Sequence, residues 1–192
     1  MYILFEGIDT SGKSTQASLL AKSIDNSILT KEPGGTTLGL TIRELILHKG
    51  VSNHKSELFL FLADRSEHFK EVIAPNLDKT IISDRGLVSG ISYALANHDD
   101  YNLDFLIDLN RFALDGTLPD KVILLKTDLK LITSRMSGKK EDMIEQRGFE
   151  YLLKIQDLMI EVIQKLGVNH IILDADESIE TLHKKIKDFI DD

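Results

Sequence analysis

The chain of 192 residues is long enough for one domain with a sizeable core, and its 42% hydrophobic and 28% charged content is that of an ordinary globular protein. A formal net charge of −8 argues against general nucleic-acid binding, so any anion site has to be a local basic pocket in an acidic molecule. The absence of cysteine excludes disulfides, thiolate catalysis and zinc–thiolate centres; with no signal-like N-terminus and no apolar run of spanning length, the expectation is a cytoplasmic protein without a membrane partner.

Short apolar runs alternate with helical patterns along the chain. The first run, Tyr2–Glu6, predicts a strand, followed by a glycine loop and a helix over Ser14–Ile24. A strand at Ile28–Lys31 leads through a Pro-Gly-Gly turn to a helix over Leu38–Leu47, with Leu38, Ile42, Leu45 and Ile46 at helical spacing. Ser56–Ile73 reads as a helix stopped by Pro75. A strand at Thr80–Ser83 follows, then a helix over Leu103–Leu114 and a strand at Lys121–Lys126. Helices over Leu129–Met136 and Phe149–Leu166 come next, the latter ended by Gly167; a strand at His170–Leu173 and a helix over Ile179–Ile190 close the chain. The strands are rich in Ile, Val and Leu, as in a parallel sheet buried on both faces. This order predicts one doubly wound α/β domain over 1–192, with no repeat or dividing linker. The segment 136–147 is polar, of mixed charge, and on composition alone reads as a solvated loop.

Gly7-Ile8-Asp9-Thr10-Ser11-Gly12-Lys13-Ser14 follows the first strand and opens a helix, the order a phosphate cradle requires. Its glycines let backbone N–H groups face anionic oxygens, Lys13 supplies a point charge for the β- and γ-phosphates, and Ser14 offers a hydroxyl to Mg²⁺. Four other segments carry chemistry. Lys31-Glu32-Pro33-Gly34-Gly35-Thr36 is either a routine structural turn or, with Arg43 in the helix it leads to, a site for a second phosphate. Phe61 and Arg65 lie four apart on one helix face, either a base-stacking and edge-reading pair or a core ring beside an exposed arginine. Asp84 and Arg85 end an apolar strand, where a carboxylate serves a metal and an arginine a phosphate, or where the two form a surface ion pair. Arg135, Lys139, Lys140 and Arg147 are either charges of a solvated loop or, if the segment closes over a bound nucleotide, cations for the transferring phosphoryl group.

In combination these segments resemble thymidylate kinase, the bacterial branch in particular. The resemblance is carried by Phe5-Glu6-Gly7 with Asp9 and Gly12-Lys13-Ser14-Thr15-Gln16; by Glu32-Pro33-Gly34-Gly35-Thr36 with Gly39 and Ile42-Arg43; and by Leu60-Phe61 with Ala63-Asp64-Arg65 and His68. Asp84-Arg85 with Ser89 and Tyr93, Leu118-Pro119-Asp120, and Asp142 with Ile144-Glu145 extend it through nearly the whole chain. It implies a P-loop NTPase three-layer sandwich, a five-stranded parallel sheet flanked by helices with a short lid at 136–147. The implied reaction is phosphorylation of dTMP to dTDP by ATP and Mg²⁺, in a homodimer, with no nucleic-acid partner.

By the resemblance Gly7, Ile8, Asp9, Thr10, Ser11, Gly12, Lys13, Ser14 and Thr15 hold ATP, and Ser14 and Asp84 hold the metal. Asp9, Glu32, Pro33, Arg43, Phe61, Arg65, Arg85, Ser89 and Tyr93 bind dTMP. Asp9 takes the sugar 3′-OH, Arg43 and Arg85 the phosphate, Phe61 the face and Arg65 the edge of thymine, while Tyr93 crowds the 2′ position. The catalytic set is Lys13, Asp9 and Arg85 with the lid cations, of which Arg135 and Lys140 are assigned.

The acceptor is already an ionised phosphate oxygen, so positioning and charge neutralisation are needed rather than a strong base. Departures from the family pattern carry their own expectations. Gly86 replaces an aromatic residue, so that ring's support is missing. Gly90 and Ala94 replace polar residues near the base edge, which puts more weight on Arg65. Met143 replaces a lid arginine and Thr10 is not basic, so the missing cation is expected from elsewhere in the lid. Another P-loop metabolite kinase, a guanine-nucleotide switch built on Leu125-Lys126-Thr127-Asp128, and an inactive relative are the alternatives; dTMP-dependent ADP release separates them.

Overall fold

The computed structural model describes residues 1–98, 100–136 and 145–192. Five parallel strands, β1 (Tyr2–Glu6), β2 (Ser27–Lys31), β3 (Thr80–Asp84), β4 (Lys121–Lys126) and β5 (Asn169–Asp174), run in the order β2-β3-β1-β4-β5. The helices are α1 (Lys13–Ser23), α2 (Thr37–Glu44), α3 (His54–His68), α4 (Leu87–Asn97), α5 (Leu103–Ala113), α6 (Leu129–Met136), α7 (Phe149–Leu166) and α8 (Ile179–Asp191). All the expected strands form, with bounds shifted by a residue or less.

The pleat divides the core in two. Ile3, Phe5, Ile82, Ile123 and Leu125 face α1 and α8 in one cluster; Leu4, Ile81, Val122 and Leu124 join the larger cluster that includes α3, α4, α5 and α7. The central strands β1 and β4 are buried almost throughout, whereas β2 and β5 are only partly covered because they are the sheet's edges.

Three departures from the sequence reading have physical causes. Helix α4 has no amphipathic stripe to announce it: Leu87 through Ala94 are all buried, so it is apolar or small nearly all round. The helix expected to run to Ile73 is α-helical only to His68, then widens into a π turn over Phe69–Ile73. Pro75 does not stop it directly, since it occupies a 3₁₀ turn, Ala74–Asn76, where its missing N–H costs nothing. Helix α2 likewise ends at Glu44 and continues as a π turn, Leu45–Lys49.

The topology places the site. Strand β1 sits between β3 and β4, and the chain leaves β1 toward one edge of the sheet and β4 toward the other. Such a switch point opens a crevice at the carboxyl ends of the strands. The register sets Phe5 beside Asp84 and Lys31 beside the same aspartate, so the loops after β1, β2 and β3 converge there.

Candidate active site

The loop after β1 delivers Lys13 as the first residue of α1. Its ammonium is buried, 3.4 Å from the Ile8 carbonyl and 3.7 Å from Asp9 Oδ1. Burial, with the neighbouring Arg85 charge, lowers its pKa to about 8, against the opposing pull of Asp9, Asp84 and Glu6. Ile8 turns its side chain into the core and offers only its backbone to the loop. Ser14 and Thr15 are exposed at the start of α1. Ser14 Oγ donates to Asp84 Oδ2 at 2.5 Å, while Asp84 Oδ1 is buried with no hydrogen-bond partner. A hydroxyl and a carboxylate with one unspent buried oxygen form a donor set that suits a hard cation such as Mg²⁺.

Arg85 joins this loop to a second cavity. It follows β3 with φ 73°, and its N–H is fixed on the Phe5 carbonyl at 2.9 Å. Its guanidinium donates to the Gly7 carbonyl at 2.9 Å, to Ser89 Oγ at 3.3 Å and to Asp9 Oδ1 at 2.8 Å. Burial works against this charge, but Asp9, Tyr93, Asp84 and Glu6 outweigh it and hold the group above the ordinary arginine pKa. Asp84 and Arg85 therefore do not form a strand-end surface pair; each is committed to a different partner across the crevice.

The second cavity is lined by Asp9, Glu32, Pro33, Arg43, Phe61, Arg65, Arg85, Ser89 and Tyr93, so every residue expected on the acceptor side is brought to one place. Leu47, Gly86 and Gly90 complete the lining. Arg43 donates to the Pro33 carbonyl at 3.2 Å. The Phe61 and Tyr93 rings are nearly parallel, 7° apart in plane with centroids separated by 6.4 Å. Arg65 is buried rather than exposed, in a 2.8 Å ion pair with Glu32. Burial opposes the Glu32 charge, yet Arg65 and His68 together hold its pKa below the usual carboxylate value.

Behind these groups stands Glu6, fully buried, whose carboxylate accepts from the N–H groups of Gly86 and Ser89 at 3.1 Å each and also bonds Ser89 Oγ. It closes the N-terminal turn of α4 and so sets Ser89 against Arg85. Burial pushes its pKa up, against the lowering effect of the Ser89 bonds. Sequence reasoning left Glu6 without a role, although a charged residue ending an otherwise apolar strand was the available signal. The aromatic support expected to be missing at Gly86 is replaced by packing. A Cβ there would lie 2.7 Å from Leu4 Cδ1 and 3.6 Å from the Tyr2 hydroxyl, so β1 fills the space.

The cations expected from the lid divide. Lys139, Lys140, Asp142, Met143 and Ile144 lie outside the described residues. Arg135 donates to the carbonyls of Thr10 at 2.9 Å and Ala175 at 2.8 Å, lying along the outer edge of the P-loop. With Thr10, Ser11, Gly12, Thr15, Gln16, Glu177, Ile179 and Leu182 it lines a recess on the α8 side, whose far wall the sequence reading did not identify. Arg147 is spent elsewhere: it holds Glu57 at 2.8 Å, Tyr151 at 2.8 Å and Asn97 at 3.1 Å. Glu57 is only 3% exposed, so this pair ties the start of α7 to α3 and α4. Arg147→Ala is expected to cost about 2 kcal/mol of stability by leaving Glu57 short of a partner, and to change turnover less than twofold. Denaturant unfolding and steady-state rates on the same preparation check both parts.

A phosphate loop and a facing cavity with its own arginines, one of them buried, and an aromatic ring define a P-loop nucleotide kinase. A thymidylate kinase family model matches residues 5–186. The chain is 52% identical over 190 residues to the thymidylate kinase of Sulfurovum sp. (strain NBC37-1), covering 99% of each protein. It is 48% identical over 192 residues to that of Campylobacter concisus (strain 13826), covering 99% of this chain and 98% of the relative. The crystal structure of thymidylate kinase from Ehrlichia chaffeensis superposes with a TM-score of 0.79 at 27% identity, covering 99% of this chain and 98% of that one. The chain belongs to the thymidylate kinase family.

Proposed function

We propose that this thymidylate kinase carries out its reaction, ATP plus dTMP giving ADP plus dTDP, across the crevice bridged by Arg85. The supporting observation is that Arg85 donates both to the P-loop, at Gly7, and to Asp9 and Ser89 at the acceptor cavity, so one guanidinium faces both polyanions. The backbone from Gly7 to Ser14, with Thr15, receives the ATP phosphates, and Lys13 faces the β- and γ-oxygens. Arg135 and the recess beside α8 receive the donor's base, which moves Arg135 from the reacting centre to the nucleotide's far end. Ser14 and Asp84 would hold Mg²⁺, which would neutralise charge on the donor phosphates.

On the acceptor side Arg43 and Arg85 take the dTMP phosphate, Asp9 the sugar 3′-OH, Phe61 the base face and Arg65 its edge, with Tyr93 against the sugar and Glu32 and Pro33 lining the wall. In-line transfer then requires positioning and charge neutralisation, and no base stronger than the phosphate oxygen itself. The role of transition-state cation in the lid is assigned to Lys140.

The enzyme acts as a homodimer in the cytoplasm. Support for the dimer comes from phenylalanines open to solvent on neighbouring helices: Phe59 on α3 is 58% exposed, and Phe105 and Phe112 on α5 are 58% and 85% exposed. Phe105 and Phe112 are seven apart and share a helix face, an apolar surface suited to a second copy. No described helix is long and apolar enough to cross a membrane.

The deciding measurement is ADP release from ATP with dTMP, dUMP, dCMP, dGMP and AMP as acceptors, with and without Mg²⁺. Release that depends on dTMP and Mg²⁺ supports the reading. Equal release with every acceptor, or none with dTMP, overturns it. Sedimentation equilibrium tests the dimer.

A further inference from the structure

Arg65 is fixed from both sides by side chains of other elements, Glu32 after β2 and Asn110 on α5. Nη2 pairs with Glu32 Oε2 at 2.8 Å, and Nη1 donates to Oδ1 of Asn110, a residue of α5 that is 0% exposed. The amide orientation of Asn110 follows from its partners, because Nδ2 donates to the Leu106 carbonyl at 2.7 Å and only Oδ1 is left to accept from a guanidinium. Beneath the fork lies Gly90. A Cβ at that position would lie 2.9 Å from Nη1 and 3.0 Å from Nη2, so the guanidinium lies against bare backbone of α4. Its Nε is buried without a hydrogen-bond partner.

We propose that Asn110, acting through Arg65 in the space left by Gly90, sets the base discrimination of the acceptor site in favour of a pyrimidine carrying a 4-carbonyl over one carrying a 4-amino group. This rests on the reading of the cavity as a pyrimidine monophosphate site. A guanidinium has donors and no acceptor. Held in one orientation, it meets a carbonyl oxygen favourably and sets donor against donor when an amino group takes that place. Glu32 alone is a single anchor about which the fork can rotate, letting water relay a bond to an amino group; the Asn110 oxygen is the second anchor that prevents this. Discrimination of this kind arises from buried polar groups that a wrong partner leaves unpaired. Asn110 is a positioning residue, since it reaches the base only through Arg65.

The test is Asn110→Leu, similar in shape but without an acceptor, assayed with dTMP and dCMP at saturating ATP. The expected result is a KM for dTMP raised about tenfold with kcat within about twofold, and a dTMP-to-dCMP ratio of kcat/KM reduced about tenfold or more. Asn110→Asp keeps an oxygen for Nη1 and is expected to hold that ratio near the wild-type value. Simple loss of folded enzyme lowers both acceptors equally and leaves the ratio alone. Should Asn110→Leu fail to fold, Gly90→Ala displaces the fork from α4 and is expected to reduce the ratio in the same direction. A folded Asn110→Leu or Gly90→Ala enzyme with an unchanged ratio overturns the proposal. Failure of the wild-type enzyme to use dTMP overturns the reading of the cavity instead.

Discussion

Arg85→Ala is expected to lower kcat/KM for dTMP by about 10³-fold, with kcat falling as well as affinity. The side chain is 14% exposed and donates to Gly7, Ser89 and Asp9, so it holds the phosphate loop and the acceptor wall in one arrangement. Its removal leaves Asp9, Asp84 and Glu6 beside a crevice that must admit two anionic substrates, with Lys13 on the loop side and Arg43 on the cavity wall as remaining cations. Both consequences act in the same direction: the acceptor phosphate loses one of its two arginines, and the field in the crevice becomes less positive. Arg85→Lys keeps the charge but not the fork that reaches three partners, and is expected to fall between wild type and alanine. Coupled ADP-release kinetics with dTMP varied supply the numbers, and a melting curve separates lost chemistry from lost fold. A folded alanine variant within tenfold of wild type contradicts the bridging role.

Much of this arrangement is legible in the sequence, for reasons that also explain what is not. The strands are short apolar runs between turn residues, and the phosphate loop is a spacing, so both survive translation into one dimension. Helix α4 carries Ser89, Gly90 and Tyr93 yet has no periodic signature, because a helix buried on nearly every side loses the polar face that marks helical spacing. The strand order, which puts β1 between β3 and β4, is decided by packing between elements far apart in the chain. Asn110 illustrates a subtler case. Leu103, Leu106, Ile107, Asn110 and Ala113 share the inward face of α5, and a polar residue on an apolar stripe needs a partner that only the fold can supply. Helix α3 shows the same mark more strongly, with Glu57, Asp64, Arg65 and His68 on its buried face. Arg135 and Arg147 show the opposite limit. Their charge is visible in the sequence, but the carbonyls and the carboxylate that engage them, at Thr10, Ala175 and Glu57, come from 125, 40 and 90 residues away.

Lys13→Met is expected to lower kcat/KM for ATP by about 10³-fold while leaving dTMP binding within severalfold of wild type. Lys13 is 5% exposed, and among the described residues no carboxylate lies closer to its ammonium than Asp9 at 3.7 Å, so in the free enzyme its charge is poorly compensated. Burial and Arg85 hold its pKa at about 8 as a result. Bound phosphate oxygens favour the charged form, which raises that pKa in the complex and makes ATP binding take up a proton between pH 8 and the higher value. The sign follows directly. Below about pH 8 the lysine is protonated in both states and ATP affinity is flat on its account; above it, affinity falls by up to tenfold for each pH step until the bound form also titrates. Lys13→Met is expected to lose this slope together with the rate. Calorimetry of ATP binding at pH 9 in two buffers of different ionisation enthalpy measures the proton directly. Identical heats in the two buffers for the wild-type enzyme would place the lysine's titration elsewhere and remove the electrostatic basis of the argument.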